Sequence, residues 1–139
     1  MMNKHDNIFT TNKVIKFAYH ITESKNVEEI LRNGLVPKIG KLSLIINEPV
    51  EAIYLFPELK DAKYAMSDWM NEVYQSESKR LVEGEVSLTL LKINMKGYPF
   101  KFIDSDEFYL DREFIVYQPI LSKDIQVTIT DLTMASFKI

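Results

Sequence analysis

A histidine and a threonine stand two residues apart in the segment "VIKFAYHIT", residues 14–22. The alternation of apolar and other residues predicts a half-buried β-strand. Its core face is expected to carry Ile15, Phe17, Tyr19 and Ile21. His20 and Thr22 then share the opposite face, about 7 Å apart along the strand. Any polar side chain satisfies solvent there, so an imidazole beside a hydroxyl raises the question of a bound ligand.

One glutamate and two tyrosines further along the chain are also candidates for a binding site. Glu113 opens the apolar run "EFIVYQPI" and shares a strand face with Ile115 and Tyr117, which points it along an apolar surface. Glu is depleted in strands, so this placement favours a functional role. Tyr54 lies in the apolar run "EAIYLF", where a core position and a binding position are both open. Tyr64 lies almost opposite the apolar stripe of the next predicted helix, so its ring faces solvent or lines a cleft.

Two helices are predicted in the first half of the chain. In "ESKNVEEILRNGLVP", Asn26 is the expected N-cap, with Glu29 three residues later. Gly34 and Pro37 are the stop signals of this helix. The second helix follows "EAIYLF" and is expected to begin at Pro57. Its apolar stripe consists of Leu59, Ala62, Met66, Trp69, Met70 and Val73.

Four further segments have the β-branched and aromatic composition of strands. They are "GEVSLTLLKINM", "YPFKFI", "EFIVYQPI" and "IQVTIT". The predicted helices come early in the chain and most of the predicted strands come late. This order is typical of an α+β fold and differs from the strict β-α alternation of a parallel doubly wound fold. Residues 38–50 contain the apolar patch "LSLII", which fits a short strand.

Composition limits the class of protein. The 139 residues predict a single domain over residues 1–139, with residues 1–13 as a flexible tail. The sequence contains no cysteine and two histidines without carboxylates at ligand spacing, so no disulfide and no metal site are expected. A net charge of −3 argues against a broad phosphate-neutralising surface but leaves a local basic patch open. Since no signal-like or membrane-spanning run is present, the expected location is the cytoplasm, without membrane contact.

Three stretches in order resemble a known family. "YHITESKNVEEILRNGL" has a His-x-Thr strand end before a short helix closed by Gly-Leu. "AIYLFPELKDAKYA" has a strand Tyr before a helix with a second Tyr, and "REFIVYQPI" has a Glu opening an apolar strand. Together they resemble the His-Tyr-Glu branch of the ADP-ribosyltransferase superfamily, which includes the poly(ADP-ribose) polymerases and the diphtheria-type toxins. The resemblance spans Phe17 to about Ile125 and implies split antiparallel β-sheets with two main helices in the N-terminal half.

The resemblance also implies an NAD site. His20 would bind the adenosine ribose of NAD, and Thr22 would help to hold that ribose. The backbone of Ile21 would grip the nicotinamide carboxamide. Tyr54 and Tyr64 would sandwich the nicotinamide ring, an arrangement worth about 0.5–1.5 kcal/mol beyond area burial.

Catalysis is implied for Glu113, together with His20 and Tyr54. The Glu113 carboxylate would accept a hydrogen bond from the 2′-hydroxyl of the nicotinamide ribose and stabilise an oxocarbenium-like transition state. Asp111, two residues earlier, would lie on the acceptor side. Toxins of the family that modify arginine tend to carry Glu at that position, so Asp111 leaves the acceptor chemistry open.

The implied activity is NAD-dependent mono-ADP-ribosyl transfer to a macromolecular acceptor, which is protein, DNA or RNA. NAD is the substrate, no metal is involved, and in a toxin-like role a neutralising antitoxin is a candidate partner. A non-catalytic NAD-binding or protein-binding module of the same fold is the alternative. An RNA 2′-phosphotransferase, which shares the fold, is less favoured because such enzymes use several arginines and this chain has only Arg32, Arg80 and Arg112.

Overall fold

A computed structural model of the chain describes residues 8–10, 15–37, 52–66, 86–103 and 113–133. Within these ranges seven strands form two antiparallel sheets. The strands are β1 Ile8–Thr10, β2 Phe17–Glu23, β3 Ile53–Leu55, β4 Leu88–Asn94, β5 Lys101–Ile103, β6 Glu113–Val116 and β7 Ile125–Ile129. The four-stranded sheet has the order β1-β5-β6-β3, and the three-stranded sheet has the order β2-β4-β7.

Two α-helices lie in the first half of the chain within the described ranges, α1 at Val27–Asn33 and α2 at Leu59–Ala65. Short 3₁₀ turns, Ser24–Asn26 and Ser122–Asp124, precede α1 and β7. The α+β class with antiparallel sheets is therefore confirmed. No helix in the described ranges is long and apolar enough to cross a membrane.

One isolated backbone bridge joins the two sheets within the described residues. The N–H of Tyr19 in β2 donates to the carbonyl oxygen of Phe56 over an N···O distance of 2.8 Å. The N–H of Phe56 donates back to the carbonyl oxygen of Tyr19 over 2.7 Å. Because the bridge does not extend into a ladder, β2 and β3 meet at one point and diverge beyond it.

The three-stranded sheet is buried on both faces. One apolar cluster combines its residues Ala18 and Leu91 with Leu55 and Phe114 of the other sheet. A second cluster packs Ile21, Leu88 and Leu90 against Phe56 and against Ala62 and Ala65 of α2. The prediction that only the Ile21 face of β2 is core is therefore wrong, since Ala18 on the opposite face is fully buried.

Two further expectations about element boundaries are corrected. Ile8–Thr10 within the expected flexible tail form β1 and pair with β5, so the description of residues 1–13 as a tail does not hold there. Helix α2 begins at Leu59 and not at Pro57, because Glu58 is its N-cap. The Glu58 side chain accepts from the backbone of Asp61, and the Asp61 carboxylate accepts from the N–H of Glu58. This reciprocal capping box fixes the first turn of α2.

Several predicted positions lie outside the described residues. They include the "LSLII" patch and the continuation of the second helix through Trp69, Met70 and Val73. The four predicted late strands correspond to β4, β5, β6 and β7. Asn26 is the N-cap residue of α1 as expected, although its side chain makes no capping hydrogen bond.

Gly34 is required where α1 ends. Its φ of 82° lies in the region that other residues rarely adopt, and a Cβ at this position would stand 2.3 Å from the carbonyl oxygen of Ile120. The neighbouring residue Leu35 exchanges two backbone hydrogen bonds with Ile120, each with an N···O distance of 2.9 Å. The end of α1 is thus held against the segment before β7, with no room for a side chain.

Gly34→Ala is expected to destabilise the protein more than Gly97→Ala. Gly97 has a φ of 89° but no atom within 4 Å of a built Cβ, so its substitution adds backbone strain alone. Gly34→Ala adds the clash with Ile120, and the loss in free energy of unfolding should exceed that of Gly97→Ala by at least about 2 kcal/mol. Urea unfolding of both variants measures the difference. Equal losses would show that the Gly34–Ile120 contact is not close.

Candidate functional site

The strands that carry His20, Tyr54 and Glu113 are spatial neighbours. β3 pairs with β6, where Tyr54 lies opposite Ile115, and the Tyr19–Phe56 bridge sets β2 beside β3. Three strands from distant parts of the sequence are thus neighbours where the two sheets join. The sequence alone contained no long-range signal for this arrangement.

His20 spans the point where β2 and β3 diverge. Its ring atom Nδ1 lies 3.0 Å from the backbone carbonyl oxygen of Tyr54. A carbonyl oxygen only accepts hydrogen bonds, so Nδ1 carries the proton and donates it. In the neutral ring Nε2 then has the lone pair and is an acceptor. The His20 side chain on β2 therefore bonds to the backbone of β3, where a backbone N–H would bond in a continuous ladder. This hydrogen bond also determines that Nδ1 carries the proton of the neutral imidazole.

Ile21 turns its backbone polar groups toward the same opening. The N–H and C=O of Tyr19 both bond to Phe56, so they point toward β3. In an antiparallel strand these groups alternate sides, so those of Ile21 point the same way as those of Tyr19. The Tyr19–Phe56 bridge is isolated in the described part of the chain, so no ladder joins Ile21 to β3. Ile21 as a whole residue is only 5% exposed, so its N–H and C=O are directed toward β3 with little surface open in this structure.

Thr22 is less accessible than the sequence predicts. Its side chain belongs to the buried residues, with 8% of its surface exposed. Its hydroxyl lies 3.5 Å from the carbonyl oxygen of Glu23, the outer limit of a hydrogen bond. His20, by contrast, is half-buried. The two residues lie in one regular strand as expected, but little of the Thr22 surface is open to a ligand.

The two tyrosines occupy different environments. Tyr54 is half-buried and packs against Ala52 and Ile115. Tyr64 on α2 is 42% exposed, whereas Ala62 and Ala65 of the same helix are fully buried. The prediction that Tyr64 lies away from the apolar stripe of its helix is confirmed. Its role as a wall of a cleft stays a prediction.

Glu113 is the first residue of β6, where its backbone pairs with Ile103. In the β3–β6 ladder Tyr54 pairs with Ile115, two residues further on. Glu113 and Tyr54 are therefore diagonal neighbours, at positions about 7–8 Å apart. Asp111, the expected acceptor-side residue, lies outside the described residues.

Among the described residues, no group of three or more His, Cys, Asp or Glu side chains is placed to hold a metal ion. Tyr98 has a shifted pKa but belongs to another part of the fold. Its hydroxyl donates to the Asp124 carboxylate, with an O···O distance of 2.5 Å, and accepts from the N–H of Leu121 at 3.0 Å. Burial and then the bond to Asp124 raise the pKa of Tyr98. The two hydrogen bonds of the Tyr98 hydroxyl join the segment after β4 to the turn before β7.

No protein-family model and no curated protein matches this chain.

Tyr64→Ala should cost little stability if Tyr64 lies at an open surface. We expect a loss below about 1 kcal/mol in the free energy of unfolding, since the residue is 42% exposed. Phe56→Ala is the comparison, because Phe56 is 5% exposed in an apolar cluster and its truncation should cost about 3–5 kcal/mol. Urea midpoints of both variants decide the matter, and similar losses would make Tyr64 a core residue.

Proposed function

We propose that this protein is an NAD-dependent mono-ADP-ribosyltransferase. The proposal depends on the opening between β2 and β3, which begins where the bridge between Tyr19 and Phe56 ends. The backbone of Ile21 and the imidazole of His20, which bonds to the carbonyl oxygen of Tyr54, lie at this opening. Supporting it, the strand that begins at Glu113 pairs with β3 beside this opening. Three of the residues on which the family resemblance depends, His20, Tyr54 and Glu113, thus belong to neighbouring strands.

The backbone of Ile21 matches a primary carboxamide. The nicotinamide group of NAD has an NH₂ donor and a carbonyl acceptor, which complement one backbone C=O and one N–H. Such a pair of bonds is the pairing that a further strand would make with this edge of β2. A carboxylate in place of the carboxamide has no donor for the C=O of Ile21, and a buried acceptor left without a partner is costly. The opening therefore favours an amide over an acid.

His20 is suited to hold a sugar hydroxyl. Its Nδ1–H donates to the carbonyl oxygen of Tyr54, and in this tautomer the acceptor nitrogen of the neutral ring is Nε2. A ribose hydroxyl donates to such an acceptor. Because the Nδ1 bond fixes the orientation of the ring, the Nε2 direction is set before the ligand binds, and less ordering entropy is lost on binding.

In the reaction, the bond between C1′ of the nicotinamide ribose and the ring nitrogen breaks, and nicotinamide leaves with the electron pair. The acceptor nucleophile forms the new bond to C1′ and releases its proton to solvent or base. Positive charge develops on the ribose as the bond breaks. The role proposed for Glu113 is to accept a hydrogen bond from the 2′-hydroxyl and to stabilise that charge. A fixed carboxylate of this kind typically contributes factors of ~10²–10³ in rate.

Glu113→Gln should lower turnover by about two orders of magnitude or more while NAD binding is largely kept. Gln has nearly the same size, but it lacks the charge that acts mainly in the transition state. Nicotinamide release and label transfer from NAD are measured for the wild type and the variant, with thermal melting as the folding control. Glu29→Gln is the matched control, since Glu29 is exposed on α1 and should not affect turnover.

Wild-type rates in Glu113→Gln would remove Glu113 from the mechanism. A wild-type protein whose melting temperature rises with NAD, but which releases no nicotinamide in a cell lysate, would instead be a non-catalytic NAD-binding module. Ligand that binds only the folded state raises the melting temperature by mass action. A melting temperature unchanged at millimolar NAD would contradict both functions.

A further inference from the structure

Two lysines converge on one aromatic ring at the start of β2. The Nζ atom of Lys92 lies 4.2 Å from the centroid of the Phe17 ring, and the Nζ atom of Lys16 lies 5.4 Å from it. Lys16 is exposed, while Phe17 and Lys92 are half-buried. We call these three residues the Lys-Phe cluster. It places two positive charges around the ring of a half-buried residue.

The charges of this cluster are not compensated by carboxylates in the described part of the chain. The ion pairs there join Lys25 to Glu23, Arg32 to Glu28 and Lys60 to Glu58. Neither Lys16 nor Lys92 takes part in one. On a protein of net charge −3, two adjacent lysines without acidic partners are a local positive patch.

The cluster lies near the candidate site. Phe17 is two residues before Tyr19, and Tyr19 is bridged to Phe56. Continuing the β3–β6 register by one residue sets Phe56 opposite Glu113. The Lys-Phe cluster is therefore two strands away from Glu113: two strand spacings, about 10 Å, separate β2 from β6 at the bridge, and Phe17 lies about 7 Å further along β2, where the two sheets diverge. This distance is suitable for a long acceptor that contacts both places.

We propose that the Lys-Phe cluster binds single-stranded nucleic acid, which is the acceptor of the transfer; this rests on the proposed function. Phosphates pair with Lys16 and Lys92, and an unpaired base stacks on Phe17. Contact with a phosphate replaces the weaker contact between each ammonium group and the ring, which uncovers the ring for the base. Aromatic rings flanked by cations are the usual means of binding single strands.

The observations favour a single strand over a duplex or a peptide. Two lysines neutralise few phosphates, and the acidic remainder of the chain opposes the extended contact that duplex binding requires. A base inside a duplex has no free face to stack on Phe17. An acidic peptide supplies charge for the lysines but no flat ring system for Phe17.

The test is binding of fluorescent oligonucleotides, measured by anisotropy in the absence of NAD. Single-stranded DNA and RNA of the same sequence form two arms, and a DNA duplex and a poly-glutamate peptide are competitors. The wild type should bind a single strand. In the double variant Lys16→Gln with Lys92→Gln, the slope of log affinity against log salt concentration should become less steep by about 0.7 for each lysine removed. Phe17→Leu should weaken binding about tenfold through lost stacking.

Lys25→Gln with Lys60→Gln is the matched control, because it removes the same charge from two lysines that already have acidic partners. It should bind like the wild type. The proposal would be overturned if the two double variants lost the same affinity for the oligonucleotides, or if neither single strand bound at low salt. It would also be overturned if poly-glutamate displaced the labelled strand better than an unlabelled single strand does. A protein that binds the oligonucleotides but releases no nicotinamide supports this surface while contradicting the transferase.

Discussion

The bridge between Tyr19 and Phe56 is the contact on which the candidate site depends. Two backbone hydrogen bonds with N···O distances of 2.8 and 2.7 Å hold the two sheets together at this point. Because the bridge does not extend into a ladder, the peptide groups of Ile21 and the ring of His20 come to the place where the strands diverge. A continuous seven-stranded sheet would have used those peptide groups for pairing, and a complete separation would have left His20 without the carbonyl of Tyr54.

The packing around the bridge keeps this geometry fixed. Apolar clusters lie on both faces of β2, with Ala18 in one cluster and Ile21 in the other. Close-packed interiors resist displacement, so this packing opposes a rotation of β2 that would close the opening. The capping box of Glu58 and Asp61 starts α2 directly after Phe56, which ties the helix that carries Tyr64 to the same bridge. Rigid elements of this kind are what a binding site needs for a defined geometry.

Local patterns predicted much of the fold. The composition of the late segments predicts their strands, and the stop signal at Gly34 predicts the end of α1. The start of α2 differs from the prediction because Pro57 is a favourable first helical residue, whereas Glu58 and Asp61 form the capping box without the usual Ser/Thr and Glu/Gln pattern. The burial of Ala18 was missed because alternation assigns one face to solvent, whereas this sheet is covered on both sides. The bond from His20 to Tyr54 joins distant segments and has no local signal at all.

The central claim is that the backbone of Ile21 binds a primary carboxamide, and the amide resonance of Ile21 tests it most directly. Nicotinamide and nicotinic acid are titrated into ¹⁵N-labelled protein, with the amide of Val127 on β7 as an internal reference. We expect a downfield shift of the Ile21 proton that saturates with nicotinamide, little change at Val127, and binding of nicotinic acid at least about tenfold weaker. An Ile21 resonance that does not move at saturating nicotinamide, or equal binding of the amide and the acid, would contradict the claim.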